Sequence, residues 1–273
     1  MDMNAQASEN MFSIIVTAYN CEKYIVETME SIEAQTFKDY DVIIVEDCSL
    51  DNTRDRIEEY IRDKEHWTLH VNEKNRGVGY SRNRAFSLAT GKFIAILDSD
   101  DVWLEDKLDQ QYQVLKNGDV DLCYSSYAYM DAASNDMHFS YRTKPQVTYH
   151  SLLKENFIGC STAVISNEIA KTNKMKENML NEDFLFWLQV LKQGYVGKGI
   201  LQPLVKYRIH EKGRSYNKFK AAYNRYSIYR HNEGLSVLAR CFYFMNYVIR
   251  ATRKFMMVYW CSLLNQKNNK HDI

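Results

Sequence analysis

Four short runs of apolar, mostly β-branched residues punctuate the first hundred positions: FSIIVT at 12–17, DVIIVED at 41–47, TLHV at 68–71 and KFIAIL at 92–97. Apolar runs of this length, without polar alternation, predict strands buried on both faces. Between them the apolar positions fall three and four apart. Ile25, Met29 and Ile32 form one stripe; Ile57, Tyr60 and Ile61 form a second after the cap-like DNT at 51–53; Ala85, Leu88 and Ala89 form a third that ends at Gly91. That spacing predicts helices. Strands alternating with helices predict an α/β chain, with a mostly parallel, Rossmann-like sheet and helices on both faces. Ligands of such sheets gather beyond the carboxyl ends of the strands.

Polar residues sit where that rule places a site. TAYN (17–20) follows the first run, EDCS (46–49) closes the second and DSDD (98–101) closes the fourth. Alone, Asn20 fits a turn and Asp47 a helix cap. DSDD is harder to explain, because Asp98, Asp100 and Asp101 repel one another unless something positive sits among them. A divalent cation meets that need; a solvated turn, with one Asp capping a helix near Leu104, is the plainer alternative.

Beyond Lys116 the pattern loosens into CYSSYAYM (123–130) and a polar stretch to about Tyr149. GCSTAVIS (159–166) is small and polar. NEDFLFWLQVLKQG (181–194) predicts a helix with Phe184, Trp187, Leu188 and Leu191 inward, ended by Gly194. Its first turn holds Glu182 and Asp183, where the helix dipole favours acids. LVKYRIH (204–210) predicts a short strand with His210 at its end.

Composition narrows the picture. Of 273 residues 45% are hydrophobic, ample for a core, and 35 basic residues balance 35 acidic ones, which argues against nucleic acid as partner. The balance is uneven along the chain: from Lys206 onward 14 Lys and Arg face 3 Asp and Glu, a net +11. The six cysteines show no CxxC pairing or metal-finger spacing, so free thiols in a reducing compartment are expected. The polar first eleven residues lack a secretory pattern, and no uncharged run is long enough for a spanning helix, so a cytoplasmic protein is expected.

The ordered motifs IIVTAYN, IVEDCSLDNT, NRGVGYSRNRA, ILDSDDVW, NEDFLFWL and YRIH resemble those of the inverting nucleotide-sugar glycosyltransferases of family two, which have the GT-A fold. The resemblance runs from about Phe12 to Ser215. It implies a polar tail over 1–11, a catalytic domain over 12–215 with a nucleotide-sugar half (12–116) and an acceptor half (117–215), and a basic, aromatic, helical region over 216–273. By this resemblance Mn²⁺ or Mg²⁺ is held by Asp100, with Asp98 against the ribose and the metal shell and His210 completing the site. Asp101 caps the next helix or holds the loop. Thr17, Ala18, Tyr19 and Asn20 line the nucleotide pocket with Ser99, and Asp47 accepts from the uracil N3–H, which favours UDP and leaves dTDP compatible. Arg82 reaches a phosphate or a sugar hydroxyl, or else forms a surface salt bridge. Asp183 is the base that takes the acceptor proton, and Glu182 orients the acceptor or raises the base's pKa. The small loop from Gly159 to Thr162 admits a sugar, and the product is a β-linkage from an α-linked UDP-sugar.

Two departures matter. Glu46-Asp47-Cys48 stands where the family often has Asp-Asp or Asp-Asp-Gly, and the QxxRW motif of the processive synthases does not occur. A single sugar addition is therefore expected. RCFYFMNYVIRATRKFMMVYWCSLL (240–264) is aromatic but broken by Arg250, Arg253 and Lys254, which suggests an interfacial helix with its basic groups toward anionic headgroups. The alternative is a helix packed on the catalytic domain or on a second copy in a homodimer. By analogy the acceptor is a lipid-diphosphate-linked oligosaccharide of O-antigen, lipopolysaccharide or capsule biosynthesis, at the inner face of the cytoplasmic membrane. Two rivals are weaker. A sugar nucleotidyltransferase wants a glycine-rich loop after the first strand, and TAYNCEKY offers none; a non-catalytic sugar-binding module would not need both Asp100 and Asp183.

Overall fold

The computed structural model describes residues 10–210 and 218–268. Nearly all of the polar tail and the expected boundary at 215 lie outside the described residues. The first half follows the predicted alternation: β1 (Phe12–Ala18), α1 (Ile25–Glu33), β2 (Tyr40–Glu46), α2 (Thr53–Ile61), β3 (Trp67–Val71), α3 (Val78–Leu88) and β4 (Phe93–Asp98). These four strands pair in parallel in the order β3-β2-β1-β4. Side chains alternate along β1: Ile14 and Val16 pack with Ile25, Met29 and Ile32 of α1 on one face, while Ile15 packs with Ala85 and Phe86 of α3 on the other. Each fully buried aliphatic side chain stabilises the fold by about 1.5–3 kcal/mol, so this strand commits both layers at once.

The sheet continues through β5 (Val102–Trp103), β6 (Leu122–Met130), β7 (Asp136–Tyr141), β8 (Val164–Ser166) and β9 (Gly197–Arg208). The path runs on from β4 through β8, β6 and β9 to β5, with β7 paired to β6. β8 is antiparallel to both β4 and β6, whereas β6 and β9 are parallel. The remaining helices are α4 (Lys107–Leu115), α5 (Tyr149–Lys154), α6 (Asn167–Thr172), α7 (Glu182–Lys192), α8 (Lys218–Ser227) and α9 (Val237–Asn268), with a π-helical turn over Ile228–Asn232.

Several expectations change. The loosened stretch at 123–130 is β6, buried almost throughout; its Tyr and Ser positions carry no apolar alternation, yet Tyr127 stacks on Tyr141 and Tyr129 on Phe139 of β7. The short strand near His210 is twelve residues long, with register shifts near Pro203 that a strand-length count cannot foresee. The helix expected near Leu104 starts at Lys107, so no Asp of DSDD caps it. Leu88 is 37% exposed and α3 ends there, two residues short of the expected turn. Lys107 is fully buried beneath Trp103, its Nζ 3.9 Å from the ring centre and donating to Gln111 Oε1 at 2.6 Å. Burial pushes its pKa down to about 7.

The C-terminal helices pack on the α/β body. Tyr229 donates to the Leu153 carbonyl at 2.6 Å, and Tyr243 meets His150 at 2.8 Å. Arg250 pairs with Glu155 at 3.1 Å and Lys254 donates to Tyr127 at 2.6 Å. Arg250 and Lys254 therefore serve the protein, and the expectation that they face headgroups is corrected: Glu155 and the tyrosine layer of β6 supply their partners. Among the described residues no helix is long and apolar enough to cross a membrane.

At Gly91 the turn before β4 runs against β1 with no room for a side chain, since a Cβ there would lie 2.5 Å from the amide nitrogen of Ser13. Gly91→Ala is expected to destabilise the fold by about 1–3 kcal/mol, read from the urea unfolding midpoint. A midpoint equal to wild type would show that β1 and the turn before β4 separate freely.

Candidate active site

The carboxyl ends of β1, β2 and β4 meet as expected, and Thr17 of β1 pairs directly with Asp98 of β4. Ala18 is buried and Tyr19 is exposed at the mouth. Asn20, in the left-handed region at φ 47°, clasps the neighbouring loop: its amide donates to Ser49 Oγ at 2.9 Å and its Oδ1 accepts from the Leu50 amide at 2.8 Å. The turn role fits it better than a nucleotide contact. Asp47 is buried and accepts three hydrogen bonds, from Asn72 Nδ2 at 2.7 Å, the Arg76 amide at 2.9 Å and the Gly77 amide at 2.7 Å. A carboxylate offers about four acceptor positions, so Oδ2, which takes only the Gly77 amide, keeps capacity for a ligand.

Arg82 is neither on the surface nor free. It is buried on α3, its Nη2 2.5 Å from Asp98 Oδ1 and its Nη1 2.9 Å from Glu182 Oε1. One guanidinium thus joins the end of β4 to the start of α7. The paired carboxylates hold it charged despite its burial. Glu182 is held by this pairing, and its charge acts on the neighbouring Asp183.

Asp100 Oδ2 lies 2.9 Å from His210 Nε2, and the tilted ring of Tyr24 backs the imidazole at 5.4 Å. Asp101 is buried and holds the loop: its carboxylate accepts from Ser161 Oγ at 2.5 Å and the Arg208 amide at 3.0 Å. Like-charge repulsion from Asp100 and Asp98 adds to burial in pushing its pKa far up. Ser161 also accepts from the Asp98 amide at 3.1 Å, and its carbonyl accepts from Trp103 Nε1 at 2.8 Å. Gly159 to Thr162 is therefore a largely buried latch beneath the DSDD turn, not an opening for a sugar. Ser99 is buried, with its side chain against the Cys21 thiol. Among the described residues no group of three His, Cys, Asp or Glu is placed to hold a metal. Asp100 and His210 converge, whereas Asp98 turns one oxygen to Arg82.

At the start of α7, Asp183 is partly buried and its Oδ2 accepts from Asn156 Nδ2 at 3.1 Å. Burial first, and then the charge of Glu182, raise its pKa above the ordinary carboxylate value. Asn181, at φ 60°, turns the chain into this helix and donates to the Ala221 carbonyl of α8 at 3.4 Å. The Arg225 guanidinium sits 3.3 Å from the Phe184 ring centre. Asn156, Ser161 and Arg208 escaped the sequence reading; Arg208 and Ser161 lie inside the quoted YRIH and GCST segments, while nothing marks Asn156 beyond its place before the small-residue loop.

The glycosyl transferase family 2 model matches residues 13–173, more than half the chain. The chain belongs to glycosyltransferase family 2. It is 32% identical over 244 residues to the putative teichuronic acid biosynthesis glycosyltransferase TuaG of Bacillus subtilis, covering 89% of this chain and 97% of that one. It is 30% identical over 247 residues to the Escherichia coli protein WfgD, a UDP-Glc:α-D-GlcNAc-diphosphoundecaprenol β-1,3-glucosyltransferase, covering 89% of this chain and 94% of the relative. The fold matches Staphylococcus aureus TarS, residues 1–349 bound to UDP-GlcNAc, with a TM-score of 0.69 at 22% identity over 87% of this chain and 71% of that one. The fold of this glycosyltransferase is thus the expected GT-A fold.

Two pH effects follow from Asp183. Because its folded pKa is raised, ionisation costs the folded state stability once pH exceeds the ordinary carboxylate value. Asp183→Asn is therefore expected to raise the urea midpoint at neutral pH, with the gain shrinking as pH falls into the carboxylate range; a gain that grows on acidification would overturn the assignment. Glu182→Gln removes a like charge, so the Asp183 pKa should fall toward the ordinary carboxylate value, and the stability gain of Asp183→Asn should be smaller in that background.

Proposed function

We propose that this glycosyltransferase moves one hexose from a UDP-sugar to a hydroxyl of a lipid-diphosphate-linked acceptor with inversion. The observation that carries the reading is the pairing of Arg82 with both Asp98 and Glu182, which holds the donor-side carboxylates and the base-bearing helix within one guanidinium's reach. UDP-Glc and the diphosphoundecaprenol acceptor of WfgD support the substrate classes, with glucose the first donor to test and galactose and their N-acetyl forms next.

The donor occupies the crevice beyond β1, β2 and β4, where Thr17, Ala18 and Tyr19 line the nucleotide and Asp47 Oδ2 accepts from the uracil N3–H. Asp100 and His210 fit Mn²⁺ or Mg²⁺, since a carboxylate oxygen and an imidazole nitrogen lie within hydrogen-bond distance of each other and such ions complete their shells with substrate phosphates and water. The ion, when bound, offsets the charge that grows on the departing diphosphate. Asp183 accepts the proton of the acceptor hydroxyl as that oxygen bonds to the anomeric carbon and the bond from that carbon to the diphosphate oxygen breaks. Attack from the face opposite the leaving group turns an α-linked donor into a β-linked product. Burial and Glu182 make Asp183 a stronger base than an ordinary aspartate. Asn156 donates to Asp183 Oδ2 and the Phe184 amide donates to the same carboxylate, so two neutral donors hold the base in place.

The test is UDP release with Mn²⁺ or Mg²⁺ over a panel of UDP-sugars, with a sugar diphosphate lipid analogue as acceptor. Asp183→Asn should keep donor binding and lose transfer by about 10²–10⁴-fold. Asp100→Ala should lose metal-dependent donor binding. Wild-type transfer by Asp183→Asn sinks the base assignment, and no turnover with any donor sinks the reaction.

A further inference from the structure

The outward side of α9 is the wrong chemistry for water. Leu238 is 84% exposed, Phe242 53%, Met245 56%, Ile249 48% and Met256 52%. These positions recur four, three, four and seven residues apart, so they share one side of the helix. The opposite side is satisfied by the body, through Tyr243 to His150, Arg250 to Glu155 and Lys254 to Tyr127. The helix is therefore amphipathic in reverse, with polar groups turned toward protein and apolar ones outward over 237–257, a span of about 30 Å.

Charge selects what covers this face. From 237 to 268 the sequence holds five Arg and Lys and no Asp or Glu. Arg253 is exposed on the apolar side, and Arg230 and His231 are exposed just ahead of the helix. A second copy of α9 would set basic against basic with no acid to pair it, a poor basis for a helix seam. An anionic surface with an apolar interior answers both features.

We propose that the outward face of α9 lies in the interface of an anionic lipid bilayer, with Leu238, Phe242, Met245, Ile249 and Met256 inserted and Arg253 at the headgroups. This deepens the proposed reaction and rests on it for the place of the acceptor, which a lipid diphosphate would present at such a surface. The face that docks is the one left over after Arg250 and Lys254 have been taken up by the protein.

Flotation of the full chain with vesicles of phosphatidylcholine alone, and of phosphatidylcholine with about one-third phosphatidylglycerol, tests it. Wild type should float with the anionic vesicles and not with the neutral ones. The variant Leu238→Ser/Phe242→Ser/Ile249→Ser should lose that partition by about tenfold or more, and Arg253→Glu should weaken it. All three substituted apolar side chains are exposed, so an unchanged urea midpoint will separate lost docking from lost folding. Transfer to a lipid-free sugar diphosphate should be unaffected in the triple variant, so failure of docking and failure of the proposed reaction read out separately. Equal flotation of the triple variant overturns the proposal. So does a wild-type dimer in solution that becomes monomeric in that variant, which would make a second copy the occupant.

Discussion

The buried guanidinium of Arg82 is the constraint on which the candidate site turns. A charge inside a protein must be compensated where it stands, and here Asp98 and Glu182 do so from opposite sides. Breaking such a buried pair by removing one partner typically costs about 3–5 kcal/mol, because the survivor is left charged in a poor solvent. Every element that carries a partner is fixed by that requirement: α3 by Arg82, the end of β4 by Asp98, the first turn of α7 by Glu182. The position of Asp183 follows, because it is the next residue on the same turn.

The DSDD turn is held by a second set of contacts of the opposite kind, mostly neutral donors around one buried acid. Thr28 donates to the Asp101 carbonyl at 2.9 Å, Ser161 to its carboxylate, and the Arg208 backbone to the same carboxylate. Three separate segments thus shape a loop of four residues, leaving Asp100 to face outward beside His210.

The regular first half was legible because both of its signals are local. Unbroken β-branched runs and three-four spacing stand out in a dozen residues, and the strands fell within about one residue of where the runs put them. β6 was not, since a strand built of Tyr and Ser is buried by ring stacking and hydrogen bonds that hydrophobic periodicity does not register. The motifs named the acids but not their partners. Arg82 meets Glu182 across 100 positions, Ser161 meets Asp101 across 60, and Asn156 meets Asp183 across 27. Only the folded chain shows that Arg82 is a tie between two acids, or that the small residues at 159–162 are small because they are packed underneath a turn.

Lys107 gives the core beneath Trp103 a proton balance of its own. An amine fully buried beside Trp103 and Gln111, brought down from 10.5 to about 7, is neutral in the folded chain over much of the alkaline range in which the unfolded chain carries it charged. Unfolding therefore consumes a proton there, and this residue's contribution to stability is lost as pH falls from about 10 toward 7. Trp103, the ring above that amine, is also the donor that anchors Ser161. One indole thus lies between a buried amine and the latch beneath the turn that presents Asp100.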